Sequence, residues 1–325
     1  MLKVGIIGCG FMGTMHANCY KNIDGVEITA LADLREECAK ELAKGTNAVI
    51  YSEGYDLIEN ADLDIIDICL PTYLHSEYAI KAMEKVKYLF VEKPISLTNQ
   101  QAEAMLIKAK DTGCNVQIGQ VIRFWDEYVK LKEIIDSGIY GKVINANFRR
   151  ISPIPTWGWN DWLLKTELSG GAAQDLHIHD IDYVLSVFST PQKIATVKNI
   201  KGEKNSYINS LLTYDNFVVG VEGTWALPGT YPFNATFRVV FEKATVENAG
   251  AKLMLYTDEK AEEIKIEKKD LGEGFKGGNI SDLGGYYNEL VYFTNCAKEN
   301  KKIENATLSD GAASLRFVLE EINNA

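Results

Sequence analysis

Hydrophobic positions in the first third of the chain fall into short blocks, at 4–8, 26–32, 65–70, 88–91 and 115–118, too brief for helices and rich in Val, Ile and Leu. Such blocks predict strands buried on both faces. Between them the spacing turns helical, at 75–85 and 99–110. The second helix is announced by Thr98 with Gln101 three residues on, a capping box, and Gly113 is placed to stop it. Alternating strands and helices predict parallel pairing with right-handed crossovers and helices on both faces of the sheet.

Beyond about residue 122 the pattern changes. A connecting helix over 124–136 leads into segments rich in β-branched and aromatic residues: 143–149, 193–201, 207–213, 217–225, 235–241 and 244–246. Gly, Asn, Asp or Pro separate them, which predicts a large, open, mainly antiparallel sheet. Helical runs at 178–188, 286–298 and 309–322 interrupt it. The glycines at 272, 274, 277, 278, 284 and 285 are expected to form a flexible loop. The expected division is 1–122, an NAD(P)-binding Rossmann domain, and 123–325, a domain for substrate and oligomerisation.

Composition narrows the function classes. With 325 residues, 46% hydrophobic and 24% charged, there is ample core and no general disorder. Forty-five acidic against 34 basic residues give a formal charge of −11, which argues against nucleic acid or an anionic membrane as the main partner. No apolar run approaches a membrane span. The apolar start is broken by Gly8, Gly10 and Gly13, unlike a signal peptide. Six cysteines without C-x-x-C spacing suit reduced thiols of a cytosolic protein.

Gly8-Cys9-Gly10-Phe11-Met12-Gly13 fits G-x-G-x-x-G between an expected strand and an expected helix. Gly8 permits the turn, Gly10 lets the backbone approach a pyrophosphate, and Gly13 lets helix and strand pack closely. The helix N-terminus then offers its amides to the phosphates, so an acidic chain can still hold this anion. Asp33 ends the next strand at the ~20-residue spacing expected for a carboxylate on the ribose hydroxyls. That favours NAD over NADP, although Arg35 is a possible partner for a 2′-phosphate.

Two further motifs carry chemistry. Glu92-Lys93-Pro94 follows a strand at its carboxyl end, where ligands of open α/β sheets sit. A lysine there can hydrogen-bond a substrate oxygen and relay its proton. Asp175, His177, His179, Asp180 and Asp182 crowd a second segment holding two of only four histidines. On a helix, Asp175 and His179 share a face, so the carboxylate can orient a general base. A zinc or iron site from Asp175, His177 and His179 is the alternative, as is a plain helix cap with packed histidines. Trp157, Trp159 and Trp162, in a Pro/Gly loop, can stack on sugar faces or pack into the domain. Arg123 can clamp an anionic substrate group or form a structural ion pair.

In order and spacing, Gly8/Gly10/Gly13, Asp33, Leu70-Pro71-Thr72 with His75, Glu92-Lys93-Pro94 and the run from Asp175 to His179 resemble the Gfo/Idh/MocA oxidoreductases. That family includes inositol 2-dehydrogenase and glucose–fructose oxidoreductase. Gly141-Lys142-Val143 and the stretch 286–290 extend the resemblance over nearly the whole chain. It implies a nicotinamide-binding first domain and an α/β second domain whose open sheet makes a homodimer or homotetramer. It also implies Lys93, Asp175 and His179 as catalytic groups, with Leu70, Pro71, Thr72, His75, Glu92 and Gln120 near the nicotinamide. Many members carry a small residue where this chain has His177, so a particular substrate does not transfer. The implied function is an NAD-dependent dehydrogenase of a cyclic polyol, sugar or derivative, with no resident metal. The alternatives are a hydrolase or lyase using transient oxidation, and a non-catalytic NAD sensor.

Overall fold

Six short strands of the first third pair in parallel to make one sheet, each strand joined to the next by a helix. The computed structural model describes residues 1–199, 207–248, 252–266 and 284–325. In chain order the first elements are β1 (Leu2–Ile7), α1 (Phe11–Tyr20), β2 (Val26–Ala32), α2 (Glu36–Ala43), β3 (Val49–Tyr51) and α3 (Gly54–Asn60). They continue with β4 (Ile65–Ile68), α4 (Thr72–Ala82), β5 (Tyr88–Val91), α5 (Asn99–Thr112) and β6 (Asn115–Ile118). The sheet order is β3-β2-β1-β4-β5-β6. Its order reverses between β1 and β4, and that is where doubly wound sheets bind ligands.

Local chemistry explains these elements. Every residue of β4 and β5 is buried, as a parallel strand covered on both faces requires. The expected capping box is present: Thr98 Oγ1 accepts the Gln101 N–H and Gln101 Oε1 accepts the Thr98 N–H. Gly113, at φ 72°, closes the same helix. Helix α4 starts three residues before its expected position, because Pro71 pre-sets helical φ for the turn that Thr72 enters. The short strand β3 and helices α2 and α3 carry too few apolar positions to stand out in the sequence.

The second sheet has eight described strands, in the order β14-β13-β12-β11-β7-β10-β9-β8. The chain enters it through α6 (Asp126–Ser137) and β7 (Val143–Pro153), then passes a one-turn helix α7 (Thr166–Ser169) and α8 (Ile178–Phe188). The strands that follow are β8 (Lys193–Asn199), β9 (Tyr207–Thr213), β10 (Val218–Leu227) and β11 (Asn234–Phe241). The sheet is completed by β12 (Thr245–Asn248), β13 (Leu253–Tyr256) and β14 (Ala261–Glu263). All pairings are antiparallel except β7 with β10, so the expected mainly antiparallel sheet is the one observed. The last two strands were not expected: one is four residues long and the other reads Ala-Glu-Glu. One face buries Ala146, Phe148, Val219, Val221, Leu212, Phe237 and Val239, while the other leaves Val197 and Leu211 exposed.

Two helices, α9 (Gly284–Lys298) and α10 (Leu308–Asn324), end the chain. The compact units are Met1–Val121 with Asp270–Leu315, and Ile122–Lys269 with Arg316–Ala325. A single cut at residue 122 therefore marks only the first change of unit. The later return depends on long-range packing that no local pattern announces: Phe293 of α9 meets Phe90 of β5 edge-on at 5.4 Å, and Gly311 of α10 lies against Ile118 of β6. Of the expected glycine loop, residues 272–278 lie outside the described residues, while Gly284 and Gly285 open α9. Among the described residues no helix is long and apolar enough to cross a membrane.

Candidate active site

The glycine loop joins β1 to α1 with each glycine in a distinct role. Gly8 has φ 95°, and a Cβ there would come within 2.6 Å of the Cys69 carbonyl oxygen. A Cβ on Gly13 would lie 1.9 Å from the Gly8 carbonyl oxygen, so the first turn of α1 packs directly on the loop. Gly10, by contrast, faces open space apart from the Arg35 guanidinium at 3.4 Å. The loop therefore keeps a bare backbone surface at the amino end of α1, where Phe11 and Met12 are half-buried and helix amides collect.

Asp33 ties this loop to the end of β2. Its Oδ2 accepts the Cys9 N–H at 2.8 Å, and its Oδ1 accepts the Arg35 N–H at 2.8 Å. Arg35 folds back so that Nε and Nη2 each donate to Asp33 at 3.1 Å. Arg35 is thus committed to Asp33, which weakens its candidacy as a phosphate partner. Burial, and then the Asp33 charge, push the Cys9 thiol up to about 12, so it serves as a small packed group.

Beyond β4, His75 is buried and spans two carbonyls, Leu70 O and Pro94 O, at 2.7 Å each. This bridge joins the Leu70-Pro71-Thr72 turn to the Glu92-Lys93-Pro94 turn, whose Lys93–Pro94 bond is cis. His75 is therefore a strap within the site. Gln120 is fully buried, and its amide atoms make no hydrogen bond among the described residues, an orphaned group of the kind a ligand satisfies. The open surface at Gly10, the ordered Asp33 carboxylate and the orphaned Gln120 amide all fit a bound dinucleotide.

Behind these turns lies a cluster that the sequence did not disclose. His16 Nδ1 is 2.8 Å from Asp67 Oδ2, its Nε2 is 3.0 Å from Glu92 Oε1, and Tyr20 donates to Asp67 at 3.0 Å. The available signal was Asp67 itself, a carboxylate inside an apolar strand, which demands a buried partner. Burial pulls the His16 imidazolium down, but Asp67 and then Cys69 outweigh it and hold it well above the ordinary value. Burial, and then Glu92, likewise keep the Glu289 carboxyl well above its range. Both raised groups bind protons more tightly folded than unfolded, so stability falls with rising pH. For His16 the contribution is intact below its ordinary 6.5 and declines progressively as pH rises from there through its raised folded value. The thermal midpoint is expected to drop steadily from pH 6.5 upward in scanning calorimetry, with a shallower drop in His16→Gln.

In the second unit, a π turn over Ala173–His177 runs straight into α8. Of residues 169–184 only Asp175 and His179 are not buried. The neighbouring acids are engaged inward: Asp180 takes Arg150 at 2.9 Å, and Asp182 takes Arg123 through Nε at 2.6 Å and Nη2 at 2.8 Å. These pairs pin α8 and leave His179 on its accessible side. Two residues offered as substrate contacts are engaged within the unit. Arg123 is spent on Asp182, whose buried carboxylate needs it. His177 is fully buried with Nε2 3.2 Å from Glu321 Oε2, and a Cβ on Gly223 would reach its Cβ at 2.7 Å. It is a core histidine packed on the sheet and on α10. Trp162 packs against Leu163, Ala172, Leu176 and Trp225, whereas Trp157 and Trp159 are exposed.

A dinucleotide loop at the switch point of a parallel sheet, with a lysine turn after β5 on the far side of β4, suits a dinucleotide-binding oxidoreductase. Family comparison agrees: residues 2–120 match the oxidoreductase family with an NAD-binding Rossmann fold, and residues 128–247 match the Gfo/Idh/MocA C-terminal domain. The chain belongs to the Gfo/Idh/MocA family. It is 32% identical over 184 residues to myo-inositol 2-dehydrogenase of Thermotoga maritima, covering 56% of this chain and 53% of that one. The match thus spans about half that relative's length. It is 29% identical over 245 residues to scyllo-inositol 2-dehydrogenase (NAD(+)) of Bacillus subtilis, covering 73% and 70%. In fold it matches an oxidoreductase from Agrobacterium radiobacter, solved with NAD+, L-tartaric acid and magnesium, at a TM-score of 0.87 and 18% identity, over 100% of this chain and 96% of that one.

Proposed function

We propose that this chain is an NAD-dependent dehydrogenase that oxidises a secondary alcohol of a cyclic polyol, sugar or sugar derivative. The observation that carries this reading is the exposure pattern around α8: Asp175 and His179 alone are left accessible in a run otherwise buried. The inositol dehydrogenases among its relatives support the substrate class. Bound NAD supplies a hydride acceptor. The amides at the amino end of α1 hold the pyrophosphate and Asp33 the ribose hydroxyls, which favours NAD over NADP. Lys93 positions and polarises the substrate oxygen, His179 removes the hydroxyl proton, and Asp175 orients His179. Trp157 offers a face for sugar C–H groups.

Copies of the chain pair through the exposed face of the eight-stranded sheet. The free state of all six cysteines supports a reducing, cytosolic setting. The test is a panel of inositols, sugars and sugar acids, scored for NADH appearance. NADH formed in proportion to substrate consumed is the expected result. Substrate consumed without net NADH would overturn it in favour of a lyase or hydrolase.

A further inference from the structure

The proposed chemistry makes no use of His16, yet the most tightly knit charged cluster described in the first unit is built on it. His16 Nδ1, Asp67 and Cys69 bring metal-ligating atoms within 4.8 Å of one another. These atoms are already spent on each other, with Nδ1 2.8 Å from Asp67 Oδ2 and 3.3 Å from Cys69 Sγ. A metal on Nδ1 would displace the N–H that Asp67 accepts. Carboxylate oxygens flank both ring nitrogens, so a neutral ring would turn a lone pair toward one of them. An imidazolium suits both sides. Facing it are Cys19 and Tyr20 from α1, Asp67 from β4 and Cys69 just after it, Glu92 after β5, and Glu289 with Tyr286 from α9.

Glu92 links this cluster to the lysine turn. Its Oε1 lies 3.0 Å from His16 Nε2, an ion-pair contact without hydrogen-bond geometry, and its Oε2 accepts the Lys93 N–H at 3.1 Å. Its carboxyl group also lies over Gly119, where a Cβ would come within 3.1 Å of it. A carboxylate held from one side by a fixed cation and from another by bare backbone has little freedom. The peptide it grips is that of Lys93.

We propose that His16 is a positioning residue for Lys93: its imidazolium, clamped by Asp67, fixes the Glu92 carboxylate that holds the Lys93 backbone. This rests on the assignment of Lys93 to the substrate oxygen. Asparagine in place of histidine keeps a donor near Nδ1, toward Asp67, and glutamine keeps one near Nε2, toward Glu92. With NAD and the best substrate of the polyol panel, His16→Asn is expected to lower kcat at least about tenfold with NAD affinity within about twofold. His16→Gln is expected to recover a substantial part of that loss. Gly119→Ala, which presses on Glu92 without touching His16, is expected to lower kcat in the same way. Unchanged kcat in His16→Asn and Gly119→Ala overturns the proposal, as does equal loss in the two His16 variants.

A second arm needs no substrate. In the full chain labelled with 15N-histidine, both His16 ring nitrogens are expected to keep imidazolium shifts at pH 8, with His16 assigned by signals missing in His16→Gln. A neutral tautomer at pH 8, or one equivalent of zinc that co-purifies and resists EDTA, overturns the clamp. Lys93→Ala separates the two failures. If it keeps full turnover, the assignment of Lys93 is at fault; if it is dead while His16→Asn is unimpaired, the positioning role alone falls.

Discussion

Lys93→Ala is expected to lower turnover about 10²–10⁴-fold while NAD affinity stays within about twofold. The residue stands just beyond β5, at the carboxyl edge of the sheet where ligands of this architecture bind. Its main chain is held by Glu92 at 3.1 Å, and its turn is strapped to the end of β4 through His75. That much machinery around one lysine makes sense if its ammonium must meet a developing alkoxide in fixed geometry. The phosphate loop and Asp33 do not depend on the Lys93 side chain, so NAD titration by fluorescence should remain normal. Loss of NAD binding together with turnover would place Lys93 in cofactor retention instead, and intact turnover would remove it from the chemistry.

Gly13→Ala is expected to cost about 1–3 kcal/mol or more in stability and to abolish NAD binding. The added methyl would need to occupy a point 1.9 Å from the Gly8 carbonyl oxygen, and a backbone atom cannot rotate away as a side chain can. Either α1 lifts from β1 or the loop opens; both spoil the amide cradle. Gly10→Ala is a fair control, since its nearest neighbour is the flexible Arg35 side chain at 3.4 Å. Denaturant melts of the two variants read the difference in stability, and NAD titration reads the difference in binding. Equal losses would mean that the clash at Gly13 relaxes at little cost.

What the sequence disclosed depended on how local each feature was. The parallel strands, the capping box at Thr98 and the glycine loop each rest on a few adjacent residues, and each stands where expected. The second sheet was foreseen in kind, but its two edge strands are too short and too polar to register. His177 is a different case. The sequence offers it as a substrate contact beside the catalytic candidate His179, and the π turn and α8 direct its imidazole toward Glu321 while leaving His179 half-buried. His16 and Glu289 remained hidden because their significance arises only when α1, β4, β5 and α9 come together. A long-range cluster has no signature in any one window.

The return of the chain to its first unit has a consequence for biosynthesis. Helix α9 supplies Phe293 against Phe90, and the segment before α10 adds a bridge from Thr307 to Gln117 of β6. The nucleotide-binding unit is therefore incomplete until residues through Leu315 have left the ribosome. A unit built mostly from residues 1–121 must wait for a segment that the ribosome delivers only after the second unit's sheet. During that interval the exposed flanks of β5 and β6 are the surfaces a chaperone would be called on to cover.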